Sequence, residues 1–397
     1  MAMAVTAERH NTIADAQCPA SRVARVQVFH DLDSVEQVWR QFETSGQLLT
    51  PFQRFDFLAK WQKHVGTADH VAPFVIAGYD ADRHPLLLLP LAARMEHGVR
   101  VARFLGGKHA TFNMPIYRRD FATAATVSDL EALLSGVRAQ RQSVDVLALE
   151  RQPERWLGIT NPLSLLRSQK STNDCPLMPI APGAPPASLI SNSFRRRLKS
   201  KERKLQALPG YRYVRAGSEA EIRRILDAFF VIKPARMAAQ KLPNVFADPG
   251  IEDFIREACL TPLPGGSHVI DIHALECDDE AIAIFAGVAD GHRFSMMFNT
   301  YTMSDNARHS PGLILVRSIV DYYAGQGYTS LDLGIGSDSY KQLFCKESEP
   351  IFDSFLPLST RGHLAAACMS ALGHAKRAVK QTPALARAVQ TLRGMAR

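Results

Sequence analysis

With 397 residues, 46% of them apolar and 22% charged, the chain is long enough for two cores and too hydrophobic for wholesale disorder. A net charge of +8 and a pI near 9.2 favour anionic partners, whether nucleotides, phosphorylated substrates, nucleic acid or a lipid surface, without choosing among them. The six cysteines lie far apart, with no C-x-x-C and no histidine at zinc-ligand spacing, so neither a disulfide framework nor a metal site is expected.

The segment Met1–His30 is Ala-rich and polar, without the apolar stretch of a secretory signal, and residues 1–25 are expected to be disordered. Val71–Tyr79 then reads as a strand, Pro85–Met95 as a second and Val99–Leu105 as a third, joined by tight polar turns. The densest apolar run, Pro85–Ala93, falls short of the roughly 20 residues that cross a bilayer. Dispersed thiols and no spanning segment suit a cytoplasmic protein. A helix is predicted over Asp129–Arg141 and a strand over Val144–Glu150. Ala181–Pro186 is a Pro-rich linker between domains.

Ser191–Leu208 carries Phe194, Leu198, Leu205 and Leu208 on one helical stripe, and Pro209-Gly210 ends it. A short strand, Tyr211–Arg215, precedes a helix over Glu219–Ala239 that Pro234 interrupts. His268–Glu276, Ala281–Ala289 and His292–Tyr301 form a second three-strand meander, followed by a helix over Pro311–Tyr323 and a strand over Ser330–Ile335. The order of elements repeats that of the first half, roughly 190–200 residues on, which reads as duplication of one α/β unit. After Asp353 there is no acid, and Arg361, Lys376, Arg377, Lys380, Arg387, Arg393 and Arg397 make a basic tail. Its helices, split at Pro383, place Leu364, Cys368, Leu372, Ala375 and Val379 on a stripe expected to pack on the body. Peripheral membrane contact through this tail stays open, although it lacks Trp and Phe anchors.

Within the second meander, Arg308-His-Ser-Pro-Gly312 opens a helix. Ser310 is placed as N-cap, Pro311 as first helical residue, and Gly312 where a ligand approaches the backbone, with Leu313 after it. Such an end offers free N–H groups and a positive dipole to a pyrophosphate, with Arg308 adding charge, but capping alone explains the same residues.

The runs Tyr301–Leu315 and Leu331–Phe344, with Thr50-Pro-Phe-Gln53 and Trp61, resemble the GNAT acyltransferases. Within them they are similar to the CelD-like group of cellulose and exopolysaccharide biosynthesis, related to the FemAB peptidyltransferases. The similarity runs roughly from residue 28 to 360. It implies an α/β (α+β) architecture of two tandem GNAT-like domains, each a mixed, mostly antiparallel sheet flanked by helices. A degenerate one is expected over 26–180 and an acyl-CoA-binding one over 187–360, with a basic helical tail over 361–397. In the second, the fourth and fifth strands should part around the pantetheine of acetyl-CoA or another acyl-CoA, with no metal. The family's R/Q-x-x-G-x-G/A loop is matched by Arg308 and Gly312 at a spacing one residue longer, with Leu313-Ile314 in place of a second glycine. In the first domain Leu105-Gly106-Gly107 has no helix start behind it, so that copy reads as structural.

Acyl transfer to an amine needs loss of an amine proton, a stabilised oxyanion and a departing thiolate. The resemblance implies that Tyr340, after the fifth strand, protonates the sulfur and that Lys341 holds an acceptor anion or polarises the carbonyl. Packing and surface roles are the alternatives for both. Asp332 is a carboxylate in an apolar strand, suited to a general base or to holding a loop. The run Arg195–Lys204, seven basic residues and one acid, is either a solvated face or a clamp for an anionic acceptor or the CoA 3′-phosphate. Lys233 and Arg236 resemble family positions that face the acceptor, and otherwise form a surface pair. A GNAT-type N-acyltransferase is therefore expected, acting on a small-molecule amine, an amino sugar or an envelope or exopolysaccharide precursor. DNA is not expected as a partner. An aminoacyl-tRNA-dependent transferase and a non-catalytic GNAT-fold module are the rival expectations.

Overall fold

The computed structural model describes residues 21–44, 46–140, 144–336 and 338–381. Of the segment 1–25, residues 21–25 are placed, and Arg22 donates from its backbone and guanidinium to the carboxylate of Asp129; residues 1–20 and the tail beyond 381, with its second expected helix, lie outside the described residues.

The first half contains β1 (Arg25–Phe29), α1 (Glu36–Phe42), α2 (Phe55–Trp61), β2 (Val75–Tyr79), β3 (Pro85–Leu89), β4 (Leu91–Glu96), β5 (Val99–Phe104), α3 (Val127–Arg138), β6 (Val146–Pro153) and β7 (Cys175–Pro179). The second contains α4 (Asn192–Leu205), β8 (Arg212–Arg215), α5 (Glu219–Ala239), α6 (Ile251–Leu260), β9 (Asp271–Glu276), β10 (Ala281–Ala289), β11 (Arg293–Tyr301), α7 (Pro311–Gly325), β12 (Ser330–Asp332), α8 (Lys341–Phe344), β13 (Glu347–Glu349), β14 (Ile351–Pro357) and α9 (Thr360–Gln381). In both halves a strand and two helices precede a run of antiparallel strands, then a helix and a parallel strand; the run has three strands in the second half and four, divided between two sheets, in the first. The expected strand over 85–95 is two strands, because Pro90 has no N–H to give the ladder; β3 stays with β2, and β4 turns into the sheet of β5 and β6. Helix α3 starts two residues before the expected Asp129, since Thr126 and Asp129 form a capping box.

Beside each parallel strand pair, the next strand comes from the other half. Strand β7, from before the linker, lies antiparallel to β12, with Leu177 opposite Asp332. Strand β14, from the end of the second half, lies antiparallel to β6, with Leu356 opposite Leu147. The expected domains 26–180 and 187–360 are contiguous in sequence; the sheets are not. Pairing decides this: the exposed edge beyond each parallel strand is covered only by the exchanged strand.

One continuous core joins the halves. It runs from α2 and the first sheet through Phe57 and Phe254, whose rings meet edge to face at 5.3 Å, to α5, α6 and one face of the second sheet. At this seam a Cβ on Gly250 would strike the carbonyl of His64, and Gly250 has φ of 76°, so glycine is required on both grounds. The other face of the second sheet packs under α4 and α7. Helix α9 lies on the first sheet, but by its small residues. Gly362 and Ala366 are buried, whereas Leu364 and Leu372 of the expected packing stripe are 72% and 59% exposed. Small side chains let the backbone come close to the strand, and this outweighs the larger residues on the opposite side. Among the described residues no helix is long and apolar enough to cross a membrane.

Beneath α7, His273 is fully buried; the Tyr213 hydroxyl lies 2.8 Å from its Nδ1 and that of Tyr323 3.1 Å from its Nε2. Burial first, and then Arg215, pushes its pKa down from 6.5 to about 3. The unfolded chain takes a proton that the fold refuses, so this contribution is complete above about pH 6.5 and is lost as pH falls towards 3, by up to about 1.4 kcal/mol per pH unit. Denaturant unfolding between pH 7 and 4.5 should show that slope, and His273→Gln should flatten it. An unchanged slope in the variant would remove His273 as its source.

Candidate functional site

Strands β11 and β12 run parallel through three pairs only, Arg293 with Ser330, Phe294 with Leu331 and Ser295 with Asp332. Beyond this point β11 continues to Tyr301, whereas the chain after Asp332 turns away through Gly334, with φ of 74°. The strand expected over 330–335 thus ends at 332, and a fork opens. Asp332 sits at its base with no solvent exposure. It accepts from Ser295 Oγ at 2.5 Å, from the Gly334 N–H at 3.0 Å and from Cys175 Sγ of the exchanged strand at 3.7 Å. Burial raises its pKa to about 6, against the opposing pull of Arg293 and these donors. Asp332 lines neither of the cavities that flank the fork, and as placed it ties β7, β11 and β12 together.

On one side of the fork, a cavity of about 270 Å³ lies at the start of α7, lined by Phe285, Asn299, Tyr301, Gly312, Leu313 and Tyr340 together with Ser310. Pro311 is the first helical residue, as expected. Ser310 is not the N-cap that sequence suggests. It adopts a left-handed conformation, φ 56° and ψ 50°, its hydroxyl does not cap the helix, and it accepts instead from Lys201 Nζ at 2.7 Å. The helix end is therefore free of a side-chain cap and able to take an anionic ligand. A Cβ on Gly312 would lie 3.4 Å from Tyr301, in ordinary contact, so packing does not require glycine there.

The basic helix α4 stands beside this end. Arg195 grips Asp321 with two bonds of 2.8 Å and Glu202 holds Arg317 at 2.8 Å, which pins α4 to α7 and brings Lys201 and Lys204 towards Arg308 and His309. The exposed guanidinium of Arg308 points its Nε at His309, 3.4 Å away, and the His309 pKa is lowered by desolvation and then by Arg308, Lys204 and Lys201. Arg236 lies over the Tyr301 ring at 3.4 Å, so it borders the same end of the fork. Lys233 is half-buried against Phe246, and burial and then Arg236 lower its pKa. Neither is a free surface residue.

On the other side, between the halves, lies a cavity of about 320 Å³. Met296, Met297, Leu333, Gly334 and Lys341 form its wall at the fork, with Phe246, Phe254 and Ile255 as an apolar floor. A bulge in β11, where Ala286 faces Phe298 and Gly287 faces Met296, leaves Met297 without an opposite residue. Lys341 is 3% exposed and donates to the Gly334 and Ile335 carbonyls at 3.1 and 3.0 Å, so it is no solvated surface lysine. The Tyr340 hydroxyl spans the fork, 3.5 Å from Asn299 Nδ2 and 3.8 Å from Met296 Sδ, and burial raises its pKa well above 10. Tyr340, Lys341 and the α7 end thus converge, while Asp332 stays beneath them.

Five polar residues at these cavities were not singled out by sequence: Asn299, Lys108, His109, Thr111 and Arg151. His109 follows the Leu105-Gly106-Gly107 run that reads as structural; Gly106 and Gly107, at φ 87° and 50°, turn that loop over Trp61 and into the cavity. The glycines were the available signal. Burial pushes the His109 pKa down to about 4, and Trp61 donates to its Nδ1 at 2.9 Å, so the neutral ring carries its proton on Nε2 and offers a donor.

Residues 192–342 match the family model of the acetyltransferase (GNAT) domain. No curated protein sequence matches the chain. Among solved structures, the C-terminal DUF2156 domain named for a lysylphosphatidylglycerol synthetase of Agrobacterium fabrum is similar at a TM-score of 0.53 and 11% identity, over 86% of this chain and 98% of that one. FemX is similar at 0.53 and 9%, over 82% and 96%. A conserved protein of unknown function from Bacteroides thetaiotaomicron is similar at 0.52 and 11%, over 84% and 100%. At these identities the likeness is one of fold. It covers both halves, and so extends beyond the residues that match the family model.

The Asp332 contribution has the opposite sign to that of His273: it is complete below about pH 3.8 and is lost as pH rises through about 6. Asparagine carries no such penalty and keeps an acceptor for Gly334. Asp332→Asn should therefore hold its unfolding free energy at pH 7.5 within about 1 kcal/mol, whereas Asp332→Ala, which strands the Ser295 hydroxyl and the Gly334 N–H, should lose about 1–3 kcal/mol. Equal losses in a denaturant titration would refute the tie.

Proposed function

We propose that the protein is an N-acyltransferase that moves an acyl group, acetyl in the first instance, from acyl-CoA to an amine held between the halves. The observation that carries this is the fork: an uncapped, cation-flanked helix end on one side, a separate cavity on the other, and Tyr340 across the opening. The α7 N-terminus with Arg308, Lys201 and Lys204 suits the pyrophosphate and 3′-phosphate, and Arg236 and Lys233 border the passage. The acceptor amine, on an amino sugar or an envelope or exopolysaccharide precursor, would enter from the cavity lined by Lys341.

In the reaction the amine nitrogen attacks the thioester carbonyl, the C–N bond forms, the C–S bond breaks and the amine gives up a proton. Burial keeps the Tyr340 phenol protonated at neutral pH, so it can donate to the departing sulfur. Both oxygens of Asp332 are engaged within the fold. It therefore acts as a positioning residue, and water carries the amine proton away. Lys341 stiffens the loop after β12 and places positive charge beside the acceptor.

A second reading, transfer from aminoacyl-tRNA, draws on the exposed Arg196, Arg197, Lys199 and Arg203 of α4. Titration calorimetry with acetyl-CoA, CoA and charged tRNA separates the readings. CoA binding is expected; binding of tRNA alone would favour the second, and binding of neither would leave a non-catalytic module. Gly312→Glu puts bulk and like charge at the α7 end and should abolish CoA binding without lowering the melting temperature. Unchanged CoA affinity would sink the cofactor assignment.

Tyr340→Phe removes only the donor. General acids contribute about 10²–10⁴-fold, so turnover should fall at least about tenfold with acetyl-CoA affinity little changed. Wild-type turnover with chemistry rate-limiting would return Tyr340 to a packing role.

A further inference from the structure

The parallel pair β5–β6 is the first half's counterpart of the fork, and a cavity of about 290 Å³ lies beside it. Lys108, His109 and Arg151 line both this cavity and the one at Lys341, so the two adjoin with these side chains between them. Arg151 is the unusual residue there. It is one of the few non-glycine residues with positive φ, at 61°, and such backbone is costly for an arginine. The fold holds it in place. Its N–H donates at 2.8 Å to Asp353, a buried carboxylate on the exchanged strand β14, and its guanidinium reaches the Ala110 carbonyl at 3.2 Å. Nearby, Asn113 is 4% exposed and its Oδ1 has no partner, although it lines the same cavity. A buried acceptor of this kind calls for a donor from outside the fold, from a water or from a ligand that displaces it.

The cavity also contains carboxylates, but they are accounted for. Glu150 is bonded to Arg103 at 2.6 Å and Asp69 is exposed at the rim. Lys108 reaches Asp248 at 2.6 Å, an exposed pair of little strength. Arg94 is paired with Glu96 at 2.8 Å, whereas the Arg151 guanidinium is held by the Gly107 and Ala110 carbonyls, which leave its charge uncompensated.

We infer that the first half is a binding module for the acceptor, and that Arg151, with Lys108, takes an oxyanion, phosphate or carboxylate, while Asn113 accepts from an N–H or O–H beside it. This rests on the acyl-transfer reading for the role of the ligand. The acceptor would be elongated, with its amine at Lys341 and its anionic group in the first-half cavity, and the exchanged strand would set the distance between them by fixing Arg151.

Trp61 lines this cavity and gives a readout independent of acyl-CoA. Pyrophosphate, and separately succinate, would be titrated against the full chain while tryptophan emission is followed, in a Gly312→Glu background that blocks the α7 end. A saturable change that disappears in Trp61→Phe is expected, and its preference for one probe identifies phosphate or carboxylate. Arg151→Gly removes the guanidinium and relieves the positive φ, so it should fold at least as well and weaken the probe at least about tenfold. Arg151→Lys should fall between, because it keeps charge without the fork geometry. In both Arg151 variants made in the wild-type background, CoA affinity should not move. No saturable signal, or one indifferent to Arg151→Gly, would overturn the inference while leaving the acyl-CoA assignment standing. Loss of CoA binding in wild type would instead remove the acyl-transfer reading alone.

Discussion

A carboxylate without access to water stands where two parallel strands part, and the second half is arranged around it. Asp332 is the last paired residue of β12, and its oxygens reach Ser295 on β11, Gly334 in the departing loop and Cys175 on β7. A buried charge of this kind is tolerated only when donors surround it. Here the donors come from every strand that has to be held at the opening. Above it the strands are free to separate, and the separation lets Tyr340 face the α7 end while its neighbour Lys341 faces the cavity between the halves. The raised pKa is the cost of that position, and it is modest because the donors compensate for much of the burial.

The exchange of final strands explains why the halves act as one body. The sheet that holds β5 and β6 and the sheet that holds β11 and β12 each include a strand from the other half, so neither of these two is built by one half alone. The contacts of β7 with Asp332 and of β14 with Arg151 carry this into the cavities: the first half supplies a tie to the second half's fork, and the second half supplies the anchor for a strained residue in the first. A shared core, with Phe57 against Phe254 and Gly250 against His64, leaves little room for one half to slide on the other.

The positive charge of the chain is distributed by use. Arg195 is consumed in pinning α4, Lys201 holds Ser310 out of its capping role, and Lys341 satisfies two carbonyls, so the basic residues nearest the fork are structural and electrostatic together. Exposed cations of α4 and α9 remain on the outside, where their effect is long-ranged and salt-dependent.

Local sequence determined the repeated meander, the helix over 219–239, the strand over 281–289 and the start of α7, because each has a strong local signal: apolar runs bounded by polar turns, a capping box, Pro at the first helical position. Tyr340, Lys341, Arg308 and Gly312, which the structure places about the fork, were singled out through motif and spacing. What tertiary structure alone decided are pairings between distant residues. No local pattern shows that β7 belongs to the far sheet, that Pro90 divides one strand between two sheets, or that Gly362 and Ala366 rather than Leu364 and Leu372 face the body. Ser310 read as a cap because its residue type favours that role, and it lost the role to a lysine over one hundred residues away in sequence, whose ammonium takes the hydroxyl. Asp332 looked like a base by composition and became a tie by neighbours. Residue type fixes what a side chain can do; which of those things it does is set by the partners that long-range pairing brings within 3 Å or so.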